Sequence, residues 1–133
     1  MRSRANVFVI DDDKTFVFLT KKIISSAPFD TRIEEFGDGQ AAIDYLKQIA
    51  HKRDLLPDVI FVDLSMPVMD GWEFIEEYEH LHHSIAKDIK LYIVSSSISP
   101  HDIERSKNFS TVADFIIKPL GKGKFTEIIE NLN

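Results

Sequence analysis

The chain contains no cysteine, so disulfide cross-links and thiolate metal sites are excluded outright. It has no apolar run approaching the roughly 20 residues that a membrane-spanning helix needs. Its start, Met1-Arg2-Ser3-Arg4, leads into only a short apolar run that ends in three aspartates, which is not the pattern of a secretory signal. Positive charge is in short supply: 16 Lys and Arg stand against 22 Asp and Glu, a formal net charge of −6. That balance does not indicate a nucleic-acid-binding surface, and Lys21-Lys22 and Lys122/Lys124 are too sparse to form a basic patch. Internal repeats, low-complexity stretches and interdomain linkers are also missing. What remains is a chain of 133 residues, 44% hydrophobic and 29% charged, which suits one domain with a buried core. Together these features point to a soluble, cytoplasmic domain that engages neither nucleic acid nor membrane.

Short apolar runs alternate with helical patterns. Strands are expected near residues 6–10, 32–36, 58–62, 90–94 and 114–117. After the first strand, Phe16, Leu19 and Ile23 recur at i, i+3, i+7 and predict the inward face of a helix that stops before Pro28. The second helix carries Ile43, Leu46 and Ile49. The third starts near Trp72, with Phe74, Ile75, Tyr78 and Leu81 inward. Pro100 opens the fourth, and Phe125, Ile128, Ile129 and Leu132 line one side of the fifth. Five βα pairs in alternation imply an α/β fold, a doubly wound five-stranded parallel sheet with helices on both faces.

The chemistry gathers where these strands end. One run passes into Asp11, Asp12 and Asp13, another into Asp63, and a third into Lys118-Pro119. Ligands of open α/β sheets bind in the crevice beyond the carboxyl ends of the strands. Three carboxylates within about 5 Å repel one another by several kcal/mol, which a cation or a raised pKa must relieve. Oxygen ligands without thiolates favour Mg²⁺. Lys118 either neutralises the nest or binds a phosphoryl oxygen, and the Ser95 hydroxyl ends a neighbouring strand. Such parts serve phosphoryl transfer, in which Asp63 can act as the nucleophile.

The blocks Val9-Ile10-Asp11-Asp12-Asp13, Asp63-Leu64-Ser65-Met66-Pro67-Val68-Met69-Asp70-Gly71, Val94-Ser95 and Lys118-Pro119, in that order, resemble the receiver domain of two-component response regulators. The resemblance covers essentially the whole chain. It implies a flavodoxin-like fold with strand order 2-1-3-4-5, and a single receiver domain over residues 1–133 with no output domain. It implies that Asp63 accepts phosphate from a phosphohistidine of a sensor histidine kinase or histidine phosphotransfer protein. Asp12 is then a direct Mg²⁺ ligand, Asp11 acts partly through water, and the Ser65 backbone carbonyl is a further ligand. Ser95 is the switch hydroxyl, with Ser96 the alternative because the segment to Lys118 is about one residue longer than the commonest pattern. Lys118 contacts the phosphoryl group, Lys118-Pro119 is a cis peptide, Phe115 is the switch aromatic, and Ser65 and Ser97 tune hydrolysis. The product is a signalling protein rather than a turnover enzyme, a monomer or weak dimer that meets its downstream target through the face of the fourth helix, fifth strand and fifth helix.

Two other functions use the same residues. A Mg²⁺-dependent phosphatase with Asp63 as nucleophile needs a substrate cap, for which the chain has no insertion. A phosphorylation-independent adaptor has no need of an intact acidic pair, acceptor and lysine. Several signals carry less. His80 and His83, at i, i+3, read as a solvated helix end before they read as a metal site. Trp72 with Phe74 reads as a helix-start packing pair. Gly121-Lys122-Gly123-Lys124 lacks the spacing of a phosphate-binding loop.

Overall fold

The apolar run before Asp11 forms β1 (Ala5–Ile10), and all six of its residues are buried. A strand buried on both faces needs cover on both, and the period of two divides its side chains between them. In the computed structural model, which describes residues 4–132, two cores result. Val7 and Val9 join Val59 and Phe61 in one, and Phe8 and Ile10 join Ile60 and Val62 in the other.

The first core is closed by α1 (Lys14–Ser26) and α5 (Lys122–Glu130), the second by α2 (Gly39–Ile49) and α3 (Gly71–Leu81). The remaining strands are β2 (Thr31–Phe36), β3 (Val59–Val62), β4 (Lys90–Ser95) and β5 (Val112–Ile117). All pairings are parallel, in the order β2-β1-β3-β4-β5. A short α4 (Pro100–Ser106) connects β4 to β5, and a single 3₁₀ turn, His82–Ser84, follows α3. The α/β class, the doubly wound sheet and the strand order thus agree with the sequence reading. No helix among the described residues is long and apolar enough to cross a membrane.

Three details differ from the periodicities. The fully buried residues of α1 are Val17, Thr20 and Ile24; Phe16 and Ile23 pack half-buried against the same core, but Leu19 is 55% exposed. The helix docks with its β-branched residues deepest, and Phe16 and Ile23 flank the contact. Trp72 does not pair with Phe74. It stacks on Phe109 at 6.1 Å under the Arg105 guanidinium, while Phe74 is buried against Tyr78. Leu132 is buried as expected but lies beyond the end of α5.

Candidate functional site

Register brings the charged residues together. Ile10 pairs with Val62, so Asp11 and Asp63 leave adjacent strands at one edge, and the Asp63 N–H donates to the Ile10 carbonyl at 2.9 Å. Ser95 ends β4 opposite Ile117, and the Lys118 N–H donates to the Ser95 carbonyl at 2.8 Å. The extra residue between Ser95 and Lys118 is absorbed within β5. Leu91 pairs with Val112 but Tyr92 with Asp114, so Ala113 bulges out of the ladder. The bulge leaves Ser95 beside Lys118, buried, while Ser96 lies past the strand end and is exposed.

The loop after Asp63 is held by close backbone approach. A Cβ at Gly71 would stand 2.3 Å from the Asp63 carbonyl oxygen, so no side chain fits there. The Gly71 N–H donates to the Leu64 carbonyl at 3.0 Å, and Asp70 caps α3 in a reciprocal pair with Glu73. Asp13 caps α1 through the N–H groups of Thr15 and Phe16 and stands outside the acidic cluster.

Carboxylate oxygens of Asp11, Asp12 and Asp63 lie within 4.8 Å of one another. Among the described residues this is the only group of three or more carboxylates or imidazoles close enough to share an ion. Asp11 and Asp63 are buried and Asp12 is exposed. The Lys118 ammonium lies 2.9 Å from Asp11 Oδ2 and 3.7 Å from Asp63 Oδ1. The ammonium thus pairs with the buried Asp11 Oδ2. Burial, reinforced by the Asp11 charge, pushes the Asp63 carboxyl up to about 6, against the pull of Lys118 and the N–H groups of Leu64 and Ser65. Asp11 is likewise raised, chiefly by burial. Crowded carboxylates, two of them raised by burial, and an all-oxygen donor set fit a hard divalent cation.

The structure brings together Asp11, Asp12, Asp63, Ser65, Ser95 and Lys118; Ser65 and Ser95 line the same cleft as Asp63. Lys118-Pro119 is a cis peptide. Phe115 stands apart, half-buried beside α4 in a cleft of about 290 Å³ with Ile103, Lys107 and Ile117. Two groups at the site escaped the sequence reading. The Phe16 ring lies under the Lys118 ammonium, 4.1 Å from centroid to nitrogen. Asp102 reaches back from α4 into the cleft of Asp63. Pro100, which sets the start of α4, was the available signal for Asp102.

A family model described as the response regulator receiver domain matches residues 7–130. A two-component response regulator from Cytophaga hutchinsonii superposes with a TM-score of 0.86 at 25% identity, covering 98% of this chain and 96% of that one. The probable methanogenesis regulatory protein FilR2 of Methanothrix harundinacea is 26% identical over 95% of this chain and 79% of its own length. A protein-glutamate methylesterase/protein-glutamine glutaminase of Halalkalibacterium halodurans is 36% identical over 91% of this chain, but the match spans only 32% of that enzyme.

Proposed function

The chain belongs to the response regulator receiver domain family, the signalling domains of two-component systems, and on that premise we propose that Asp63 accepts a phosphoryl group from a phosphohistidine of a sensor kinase or histidine phosphotransfer protein. One observation carries this reading: a rigid strand end presents the Asp63 carboxylate inside a cluster of acidic oxygens and 3.7 Å from an ammonium. An Asp63 oxygen attacks phosphorus as the bond to the donor imidazole nitrogen breaks, and that nitrogen keeps the bonding pair.

In this reading Asp12, Asp63 and the Ser65 carbonyl hold Mg²⁺, with Asp11 acting partly through water. Bound there, the ion offsets charge on the phosphoryl oxygens. Lys118 contributes a point charge to one phosphoryl oxygen, and the Ser95 hydroxyl donates to another. These contacts favour the active conformer, and Phe115, which has space beside its ring, moves with the change. With no hydroxyl on the ring, packing drives that movement. The domain then works in the cytoplasm, as a monomer or weak dimer, and meets its downstream target through α4, β5 and α5.

Incubation with a small phosphodonor and Mg²⁺, followed by intact mass measurement, tests this. One phosphoryl group is expected per chain, none in Asp63→Asn, and none in the presence of a chelator. Label retained in Asp63→Asn would overturn the assignment.

A further inference from the structure

Asp102 and Ser97 line a cleft of about 380 Å³ together with Asp63, Ser65 and Ser95. The Ser97 hydroxyl donates to Asp102 Oδ2 at 2.8 Å and accepts from the Ser99 N–H at 3.2 Å. The Ser97 N–H donates to Ser95 Oγ at 3.1 Å, so the loop is tied at both ends. Asp102 stands in the first turn of α4, which Pro100 fixes in place, and a carboxylate suits that position.

A hydroxyl has one proton to give. Committed to Asp102, Ser97 Oγ presents only a lone pair to the cleft. A water that donates a hydrogen to it keeps its own lone pair free, which is what attack on phosphorus requires. Released from Asp102, the hydroxyl would instead donate to that water or to a phosphoryl oxygen. Building on the phosphoacceptor reading above, we propose that Asp102 is a positioning residue for hydrolysis of the Asp63 phosphoryl group, acting through Ser97. In that step the water oxygen bonds to phosphorus while the bond from phosphorus to Asp63 Oδ breaks. The electron pair returns to the Asp63 carboxylate. Both water protons depart on the phosphate as H₂PO₄⁻, which re-equilibrates with solvent.

The test follows decay of the phosphorylated protein by intact mass after the small phosphodonor is removed, with Mg²⁺ present throughout. Asp102→Ala lengthens the lifetime about fivefold, the effect of one ordinary hydrogen bond lost from a transition state. Asp102→Asn, whose amide oxygen still accepts the Ser97 proton, recovers most of the wild-type rate. Ser97→Ala is as slow as Asp102→Ala, and the double variant is no slower than either. A merely structural role predicts additive effects and no rescue by Asn, and either result overturns the proposal. Wild-type protein that takes up no phosphoryl group would sink the phosphoacceptor reading and this proposal with it. Wild-type protein that is labelled and decays, beside an Asp102→Ala variant with the same lifetime, would sink the positioning role alone.

Discussion

Lys118 is held from three sides: Asp11 at 2.9 Å, Asp63 at 3.7 Å and the face of Phe16 at 4.1 Å. The two carboxylates set its charge environment, and the ring covers a third side. An ammonium over an aromatic face gains about 0.5–2 kcal/mol, depending on how dry the site is. Phe16→Leu keeps the apolar bulk but loses the quadrupole. It is expected to slow phosphorylation by a small phosphodonor by roughly two- to thirtyfold. Phe16→Tyr should stay within about twofold of wild type, since its ring attracts the cation almost as well. Equal rates for the Leu and Tyr variants would refute the role of the ring. Lys118 itself was legible in the sequence because a charge directly after an apolar strand has one place to go. Phe16 was legible only as an apolar residue, because helical spacing says nothing about which cation a ring will meet.

The loop between β3 and α3 stores strain at Val68. This residue has φ 67°, is 79% exposed, and centres a γ-turn closed by the Met69 N–H to the Pro67 carbonyl at 2.7 Å. A β-branched residue at positive φ costs about 1–3 kcal/mol, whereas glycine adopts that backbone freely and loses about 0.5–1 kcal/mol of chain entropy. The strain is the larger effect, so Val68→Gly should raise the thermal midpoint by roughly 3–4 °C, equivalent to about 1 kcal/mol. A lowered midpoint by calorimetry would contradict this. The turn was visible in Pro67 and in Asp70-Gly71, but its handedness at Val68 was not. The same limit applied to two other elements. On α1 the periodicity found Phe16 and Ile23, which pack half-buried against the core, but not that Val17, Thr20 and Ile24 lie deepest or that Leu19 faces out. Between Ser95 and Lys118 the sequence revealed an extra residue but not its place, and the bulge at Ala113 became apparent only from the ladder.

Across the whole molecule, topology decides where charge accumulates. Placing β1 between β2 and β3 puts Asp11, Asp12 and Asp63 at one edge of a chain whose net charge is already −6. The order of apolar runs made that clustering legible, because alternating strands and helices can form a parallel sheet in few ways. The cluster opposes folding when no cation is present. Asp63 in the native state titrates near 6, above the ordinary carboxylate value of 3.8, so the folded protein holds this proton more tightly than the unfolded chain does. The stability from that difference is fully present below about pH 4 and is lost as pH rises through about 6. Asp63→Asn removes the titration and keeps the shape. In metal-free protein at pH 7 the variant should therefore melt several degrees above wild type, and the gap should shrink as pH falls from 7 towards 4. The variant ought to lose most of its advantage when Mg²⁺ is added, because the ion stabilises only folded protein with its ligands intact. Melting curves at pH 4, 5.5 and 7, with chelator and with Mg²⁺, would check both directions. A gap that persists unchanged at pH 4 would show that burial of the Asp63 charge is not what destabilises the metal-free fold.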